Sequence, residues 1–272
     1  RVHGRLSFFA LLSIAAGVAA IVSLQTLGTM ISDTLTGNLQ ASNRGDIQIQ
    51  ISAVADDSAS YDAYQQALAD GILYEETSPS MFGGESTTYL TQDGLNALQA
   101  WADATYPDQI EIDYNIVMTD FIGQFTGSGL GTSIIKSETD IEERQHSHVM
   151  VNPEVYPFYN TVVAKSGEAM RDLMQAPTDI LIDEKVAEAL NAKIGDTVTI
   201  SGASTEFTVR GIVTAEQEIN DPFSGLFVAL FGFYYMDNDA IQYFGDAPIQ
   251  VQTVRLQLAN PELHQEVNSA IE

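Results

Sequence analysis

The stretch that decides the fold is residues 178–213, TDILIDEKVAEALNAKIGDTVTISGASTEFTVRGIV. It starts with a short apolar run, residues 180–182, that is typical of a buried strand. Asp183 is a good helix N-cap, and the apolar residues after it have the spacing of one helix face. A Gly-Asp turn at residues 195–196 and a hairpin turn at residues 201–204 separate alternating runs. The stretch therefore predicts a strand, a short helix and a β-hairpin.

Similar patterns lie on both sides of this stretch. Upstream, isoleucines alternate with glutamines, and a helix-spaced segment is followed by a second alternating run. Downstream, two further alternating runs precede an Asn-Pro pair that is typical of a helix start. Together these elements predict an α+β fold. Strands are predicted at residues 47–51, 110–116, 234–236 and 254–258, and helices at residues 91–105, after Asp237 and after Asn260.

An uncharged run at residues 6–32 predicts a membrane helix near the start of the chain. About 20 apolar residues are enough to cross the hydrocarbon core of a bilayer. Arg1 and Arg5 precede the run, and cationic residues stay on the cytoplasmic side. We therefore expect a cytoplasmic N-terminus and an extracytoplasmic main domain at the cell membrane. A cleaved signal peptide is the alternative, but its apolar core would be shorter.

The predicted helix continues beyond the membrane. Its apolar residues keep a spacing of three and four, which is the spacing of a helical stripe. A helix over residues 6–42 would be about 55 Å long, roughly 25 Å more than the hydrocarbon core requires. We therefore expect residues 1–42 to form a transmembrane and stalk helix that ends near Asn43. The stripe consists of Leu24, Leu27, Ile31, Leu35 and Leu39.

The composition of the chain excludes several classes of function. The formal net charge is -26, which disfavours nucleic acid and anionic lipid headgroups as partners. This acidity is typical either of an ordinary solubilising surface or of adaptation to high salt. There is no cysteine, so disulfides and thiolate chemistry are excluded. The sequence has no phosphate loop and no hydrolase motif, so we expect no catalytic residue, cofactor site or metal site.

Two short motifs are weaker indications. Residues 125–131 are rich in glycine but lack the lysine of a phosphate loop, so they predict a turn or a mobile loop. His146 and His148 would face the same side of a strand and could bind a metal. No third ligand stands out near them, so we interpret them as a pair of surface histidines.

The uncharged segment PFSGLFVALFGF, residues 222–233, is too short to cross a membrane. It is either a buried part of the core or an exposed apolar loop that contacts cargo or a partner. We expect the segment to be mainly buried, with its tip exposed. The candidate contact residues at the tip are Phe223, Ser224, Gly225, Leu226 and Phe227.

Taken together, these segments resemble the MacB-like extracytoplasmic domains of FtsX-like ABC transporter permeases. The resemblance rests on residues 178–190, on the Gly-Asp motif within residues 193–200, and on residues 207–213. The apolar residues 12–21 look like the first membrane helix of that family. The ordered set of motifs is more specific than any one of them.

The resemblance implies a permease with four membrane spans, of which the chain holds the first, so we expect it to be part of a longer polypeptide. The domain that follows would have two α/β lobes, one from residues 43–120 and 225–272 and an inserted, β-rich one from residues 121–224. ATP hydrolysis would occur on a separate ABC ATPase subunit, and the permease would pair as a homo- or heterodimer.

On this resemblance, the function is to couple ATP hydrolysis to the extracytoplasmic movement of a lipoprotein, peptide, lipid or drug-like cargo. The stalk would transmit the motion. Two alternatives share the membrane topology: a ligand-sensing ectodomain of a membrane receptor, and a membrane-anchored hydrolase. The absence of hydrolase motifs disfavours the second of these.

Overall fold

A computed structural model of the chain describes residues 40, 43–52, 58–80, 83–117, 133–143, 146–214 and 232–271. The chain divides into two compact units, Arg1–Ser42 and Asn43–Glu272. The predicted membrane span, the stalk stripe from Leu24 to Leu39 and the glycine-rich residues 125–131 lie outside the described residues. Across the described ranges, no helix is both long enough and apolar enough to cross a bilayer.

The second unit has an α+β fold built on one mixed sheet of 12 strands. The strands are β1 (Ile47–Gln50), β2 (Leu73–Ser80), β3 (Gly83–Leu90), β4 (Ile110–Ile116), β5 (Ile134–Lys136), β6 (Ile141–Glu143), β7 (Ser147–Val151), β8 (Asp179–Asp183), β9 (Thr197–Ile200), β10 (Glu206–Val213), β11 (Phe233–Asp237) and β12 (Val251–Leu258). The helices are α1 (Ser58–Ala69), α2 (Gln92–Thr105), α3 (Met170–Leu173), α4 (Glu184–Leu190) and α5 (His264–Ile271), with 3-10 turns at Asn238–Tyr243 and Pro261–Leu263.

The strands follow the order β2-β3-β12-β4-β7-β11-β8-β10-β9-β5-β6, and β1 pairs with β12. Pairs β7–β11 and β8–β10 are parallel, whereas the other pairs are antiparallel. β4 and β7 share one registered pair, Ile116 with Met150, within the described part of the chain. This narrow junction separates a β4 half of the sheet (β1–β4 and β12) from a β7 half (β5–β11).

The central motif folds as its sequence pattern predicts. Asp183 caps α4, because its carboxylate accepts a hydrogen bond from the Val186 N–H at 2.8 Å. Gly195 has a φ of +94°, a conformation that favours glycine, so it makes the turn before β9. The Asp196 carboxylate then binds the buried Lys136 ammonium at 2.8 Å. The Gly-Asp motif is therefore a turn that is fastened to β5 by an ion pair.

Gly211, near the end of the central stretch, lies in β10 where neighbouring side chains pack closely. A Cβ atom at this position would lie 2.9 Å from Leu173 Cδ1 and from Leu181 Cδ2. Any larger residue would therefore require both leucine side chains to shift, so glycine suits the close packing of β10 against α3 and β8. A register shift between Val209 and Gly211 lies at the same point.

Helix starts also agree with the predicted caps. Asn260, a predicted cap, caps the turn that precedes α5. The helix predicted at residues 91–105 is α2, and Thr91 caps it through a hydrogen bond from the Gly94 N–H at 3.1 Å. The segment after Asp237 is a 3-10 turn instead of an α-helix. Of the apolar segment at residues 222–233, the structure describes only Gly232 and Phe233, and Phe233 is fully buried at the start of β11.

The prediction of surface histidines is wrong. His146 is buried, and desolvation lowers the pKa of the partly buried His148 to about 4. The reason is that β7 is an interior strand between β4 and β11, so its side chains are covered. The division into two lobes stays a prediction; within the sheet, β11 pairs with β7 and β8.

Candidate functional site

The chain enters the sheet through a tight turn at residues 44–46. Arg44 has a left-handed φ of 57°, and Gly45 lies so close to β12 that a Cβ atom would be 3.0 Å from the Leu256 carbonyl oxygen. The Asp46 N–H then donates to that same carbonyl at 2.8 Å. The turn therefore fastens the start of the domain directly to β12.

Asp46 connects this turn to three other parts of the domain. One carboxylate oxygen accepts a hydrogen bond from the Leu258 N–H at 2.7 Å, and the other accepts one from the Tyr159 hydroxyl at 2.9 Å. The backbone carbonyl of Asp46 lies 3.2 Å from Nε2 of His264, the first residue of α5. The first and last described elements of the domain therefore meet at one buried residue, Asp46.

A second set of contacts links the turn to β4. The guanidinium of Arg44 donates to the Tyr156 hydroxyl, and both Arg44 and Arg255 lie about 5 Å from the centre of the Tyr156 ring. Cations are attracted to the face of an aromatic ring, more strongly where water is excluded. Arg255 also donates to the side chain of Asn115.

Asp113, on β4, contributes a buried carboxyl group whose pKa is raised. Its carboxylate lies 3.4 Å from the Arg255 guanidinium, and its side chain is fully buried. Burial raises the pKa of Asp113 to about 6, although the charge of Arg255 opposes that rise. The effect of desolvation on this pKa is therefore larger than the opposing effect of the Arg255 charge at 3.4 Å. We call the whole set the Asp46 cluster; it comprises Arg44, Asp46, Asp113, Asn115, Tyr156, Tyr159, Arg255 and His264.

The cluster has a structural arrangement and not a catalytic one. Its charged groups bind one another, tyrosine hydroxyls or the backbone, as expected for an anchor that holds separate elements together. Within the described ranges, no group of three or more His, Cys, Asp or Glu side chains could hold a metal ion. The cluster therefore joins residues 43–46 to β12, to the loop at residues 156–159 and to α5.

The predicted contact residues, Phe223 to Phe227, lie outside the described residues, as does the stalk stripe. The Asp46 cluster, by contrast, was not predicted from the sequence. From the sequence, residues 43–45 predict a helix end, and Gly45-Asp46 contributes only to the family resemblance. A charged pair flanking glycine, directly before an alternating strand, was the one local indication of an anchor.

The whole sequence from residue 7 to residue 272 matches the family of MacB-like periplasmic core domains. Among solved structures, the chain is similar to the periplasmic region of MacB from Actinobacillus actinomycetemcomitans, with 12% identity, a TM-score of 0.41, and coverage of 67% of this chain and 72% of that one. It is also similar to a domain of a permease protein from Porphyromonas gingivalis, with 12% identity, a TM-score of 0.38, and coverage of 72% and 77%. No curated protein matches the sequence. Because the family match extends over nearly all of its residues, the chain belongs to the family of MacB-like periplasmic core domains.

Proposed function

We propose that the chain is the first membrane helix and the extracytoplasmic core domain of an ABC transporter permease. The observation that carries this proposal is the family match, which begins at residue 7 and so includes the predicted membrane span. In this function the chain couples ATP hydrolysis on a separate ATPase subunit to movement of an extracytoplasmic cargo. The cargo is a lipoprotein, peptide, lipid or drug-like molecule, and the chain itself is not an enzyme.

The Asp46 cluster supports a mechanical form of this coupling. Residues 43–46 follow the predicted stalk directly in the chain, and they are bound to β12 through the Asp46 N–H and carboxylate. Because β12 pairs with β1, β3 and β4, a displacement at residue 43 acts on the interior of the sheet and not on an edge. Arg44 and Asp46 are both buried, and hydrogen bonds to charged groups are stronger where water is excluded, which favours coupled movement of these elements.

The cluster also contacts the element that leads out of the domain. His264, at the start of α5, lies beside the Asp46 carbonyl. In the permease topology, the domain lies between the first and second membrane spans. The chain segments that lead from the first span and toward the second would therefore both contact Asp46. We propose that the partners are a separate ABC ATPase and a second permease, and that the N-terminus is cytoplasmic.

The experiment first asks whether an ATPase with a Walker A motif is encoded beside the complete permease, and then reconstitutes the two proteins together. We expect the two to copurify and to move cargo at the expense of ATP in proteoliposomes. Thr34→Pro, in the predicted stalk, should uncouple hydrolysis from cargo movement because proline in a helix interior costs about 3 kcal/mol.

Tyr159→Phe tests the cluster itself, because it removes only the hydroxyl that binds Asp46. We expect fewer cargo molecules moved per ATP, with hydrolysis retained. Tyr61→Phe is the matched control, since the Tyr61 side chain is exposed on α1. Unchanged coupling in both Thr34→Pro and Tyr159→Phe would contradict the mechanical proposal, and absence of any associated ATPase would favour a ligand-sensing receptor.

A further inference from the structure

β2 is the outermost strand at one end of the sheet. Within the described ranges it pairs only with β3, in antiparallel register from Leu73–Leu90 to Ser80–Gly83. β3 in turn shares one registered pair with β12, Leu90 with Val251, in the same part of the chain. The rest of the β2–β3 hairpin is therefore a two-stranded ribbon, which would gain stability from a further strand.

The backbone of β2 alternates between β3 and the free edge. The Thr91 N–H donates to the Ile72 carbonyl at 3.0 Å, so the even-numbered positions exchange hydrogen bonds with β3. The N–H and carbonyl groups of Leu73, Glu75 and Thr77 therefore point away from β3. No backbone partner for these groups lies within the described ranges. A row of such groups at a sheet edge is a template for another strand.

The free edge is accessible to solvent. Tyr74 is 45% exposed, and Glu75 and Thr77 are also exposed. The next odd-numbered position is Pro79, whose nitrogen also points away from β3 and has no hydrogen to donate. Proline is tolerated in a strand where its nitrogen lies on such an edge. Pro79 therefore limits an added strand to residues 73–77.

Charge selects the kind of strand that fits this edge. Glu75 and Glu76 are adjacent on β2, and no Lys, Arg or His occurs between Arg44 and Lys136. The Ser86 hydroxyl donates to the Glu75 carboxylate, which keeps further lone pairs for a cation. Opposite charges on neighbouring strands stabilise the pair, so a strand with Lys or Arg at the facing positions fits best.

A second copy of β2 fits this edge poorly. In the central antiparallel registers, it would place Glu75 or Glu76 opposite its own counterpart, or Pro79 opposite Glu75. Within the described ranges, the exposed Lys and Arg side chains of this chain all lie between β7 and the end of β10, at Lys165, Arg171, Lys185, Lys193 and Arg210. A basic strand for the edge is therefore expected from a separate polypeptide.

We propose that the free edge of β2, over residues 73–77, binds an extended cationic segment of a partner protein as an added antiparallel strand. The backbone groups of Leu73, Glu75 and Thr77 would supply the hydrogen bonds of the ladder. The carboxylates of Glu75 and Glu76 would select a segment with adjacent basic residues, one on each face of the sheet.

The proposal is independent of ATP coupling and is tested on the full chain in detergent micelles. The probe is a fluorescein-labelled peptide, acetyl-Thr-Lys-Lys-Tyr-Val-amide, whose fluorescence anisotropy reports binding. Its two lysines lie opposite Glu76 and Glu75 when the peptide runs antiparallel to β2. Two comparison peptides keep its length: one has glutamine in place of both lysines, and the other has N-methyl groups on the alternate amides that would bond to β2.

We expect saturable binding of the lysine peptide, and binding about tenfold weaker for each comparison peptide. Thr77→Pro removes one N–H from the free edge without removing a bond to β3, and should weaken binding of the lysine peptide about tenfold. Thr77→Val keeps that N–H and is its matched control. Unfolding followed by Trp101 fluorescence checks that each variant is folded.

Glu75→Gln removes a charge from the edge and should weaken binding by about two- to fivefold. Glu188→Gln is the matched control, because it removes an equal charge from an exposed position on α4 and should leave binding unchanged. If Thr77→Pro is not folded, the N-methylated peptide tests the same ladder on the wild-type chain.

Three outcomes would overturn the proposal. The first is the absence of saturable binding at millimolar concentrations of the lysine peptide. The second is equal binding of the N-methylated peptide, or an equal loss of affinity in Glu188→Gln, which would show that the peptide responds only to the negative charge of the chain. The third is a dimer of the wild-type chain in analytical ultracentrifugation that Thr77→Pro abolishes, which would assign the edge to a second copy.

Discussion

The substitution Asp113→Asn tests whether desolvation or the ion pair controls the Asp46 cluster. Asn keeps the size of the side chain and an acceptor oxygen for Arg255, but it carries no charge. In the wild-type protein, burial raises the pKa of Asp113 from 3.8 to about 6 against the opposing charge of Arg255. Glu111 contributes a smaller rise in the same direction.

The sign of the effect follows from proton binding. A carboxyl group with a raised pKa in the folded state binds its proton more tightly there than in the unfolded chain. Its favourable contribution is therefore complete below the unfolded pKa and is lost as the pH rises through the folded pKa. The difference between 3.8 and about 6, at roughly 1.4 kcal/mol per pKa unit, corresponds to about 3 kcal/mol.

We therefore expect the stability of Asp113→Asn relative to wild type to increase by about 2 kcal/mol between pH 4 and pH 7, because part of the full effect is already present at pH 4. Guanidinium chloride unfolding at several pH values measures this difference, with Trp101 on α2, the single tryptophan of the chain, as the fluorescent reporter. Comparison of the two proteins cancels the titration of the other acidic residues. Asp62→Asn, an exposed site on α1, is the control and should show no such trend.

One result would refute this reasoning. If the wild type gains stability relative to Asp113→Asn as the pH rises, then Arg255 keeps the Asp113 carboxylate ionised in the folded protein. The ion pair would then dominate over desolvation, although its atoms are 3.4 Å apart. A stability difference that does not vary with pH would equally contradict a raised pKa.

Two further substitutions test the fold around the anchor. Asp46→Asn should lower the free energy of unfolding by about 2–4 kcal/mol. The two carboxylate oxygens accept from the Leu258 N–H and the Tyr159 hydroxyl, and an amide has only one acceptor oxygen. Unchanged unfolding in guanidinium chloride would rule out the anchor. Gly94→Ala should destabilise the domain by about 1–3 kcal/mol despite the better helix propensity of alanine, since its Cβ would lie 2.4 Å from the Ile72 carbonyl oxygen; a higher melting temperature in circular dichroism would contradict that steric argument.

Some features of the fold could be predicted because they depend on neighbouring residues. The apolar run at Ile180–Ile182, the cap at Asp183 and the Gly195 turn are determined by contacts that span a few positions, and the structure confirms them. The same is true of α2, which was predicted at residues 91–105 and is observed at Gln92–Thr105. α1 and the β2–β3 hairpin were not predicted, because their polar sequences show weak periodicity.

The candidate sites depend on contacts that no local pattern encodes. Asp46 and Leu258 are 212 positions apart, and Arg255 and Asp113 are 142 apart, so their pairing follows only once β12 is placed beside β1 and β4. The sequence by itself determined the family and the local elements, because side-chain periodicity and caps act over one or two turns. Only the tertiary structure decided which charges are buried together, because strand order brings distant residues into a low-dielectric interior where desolvation controls them.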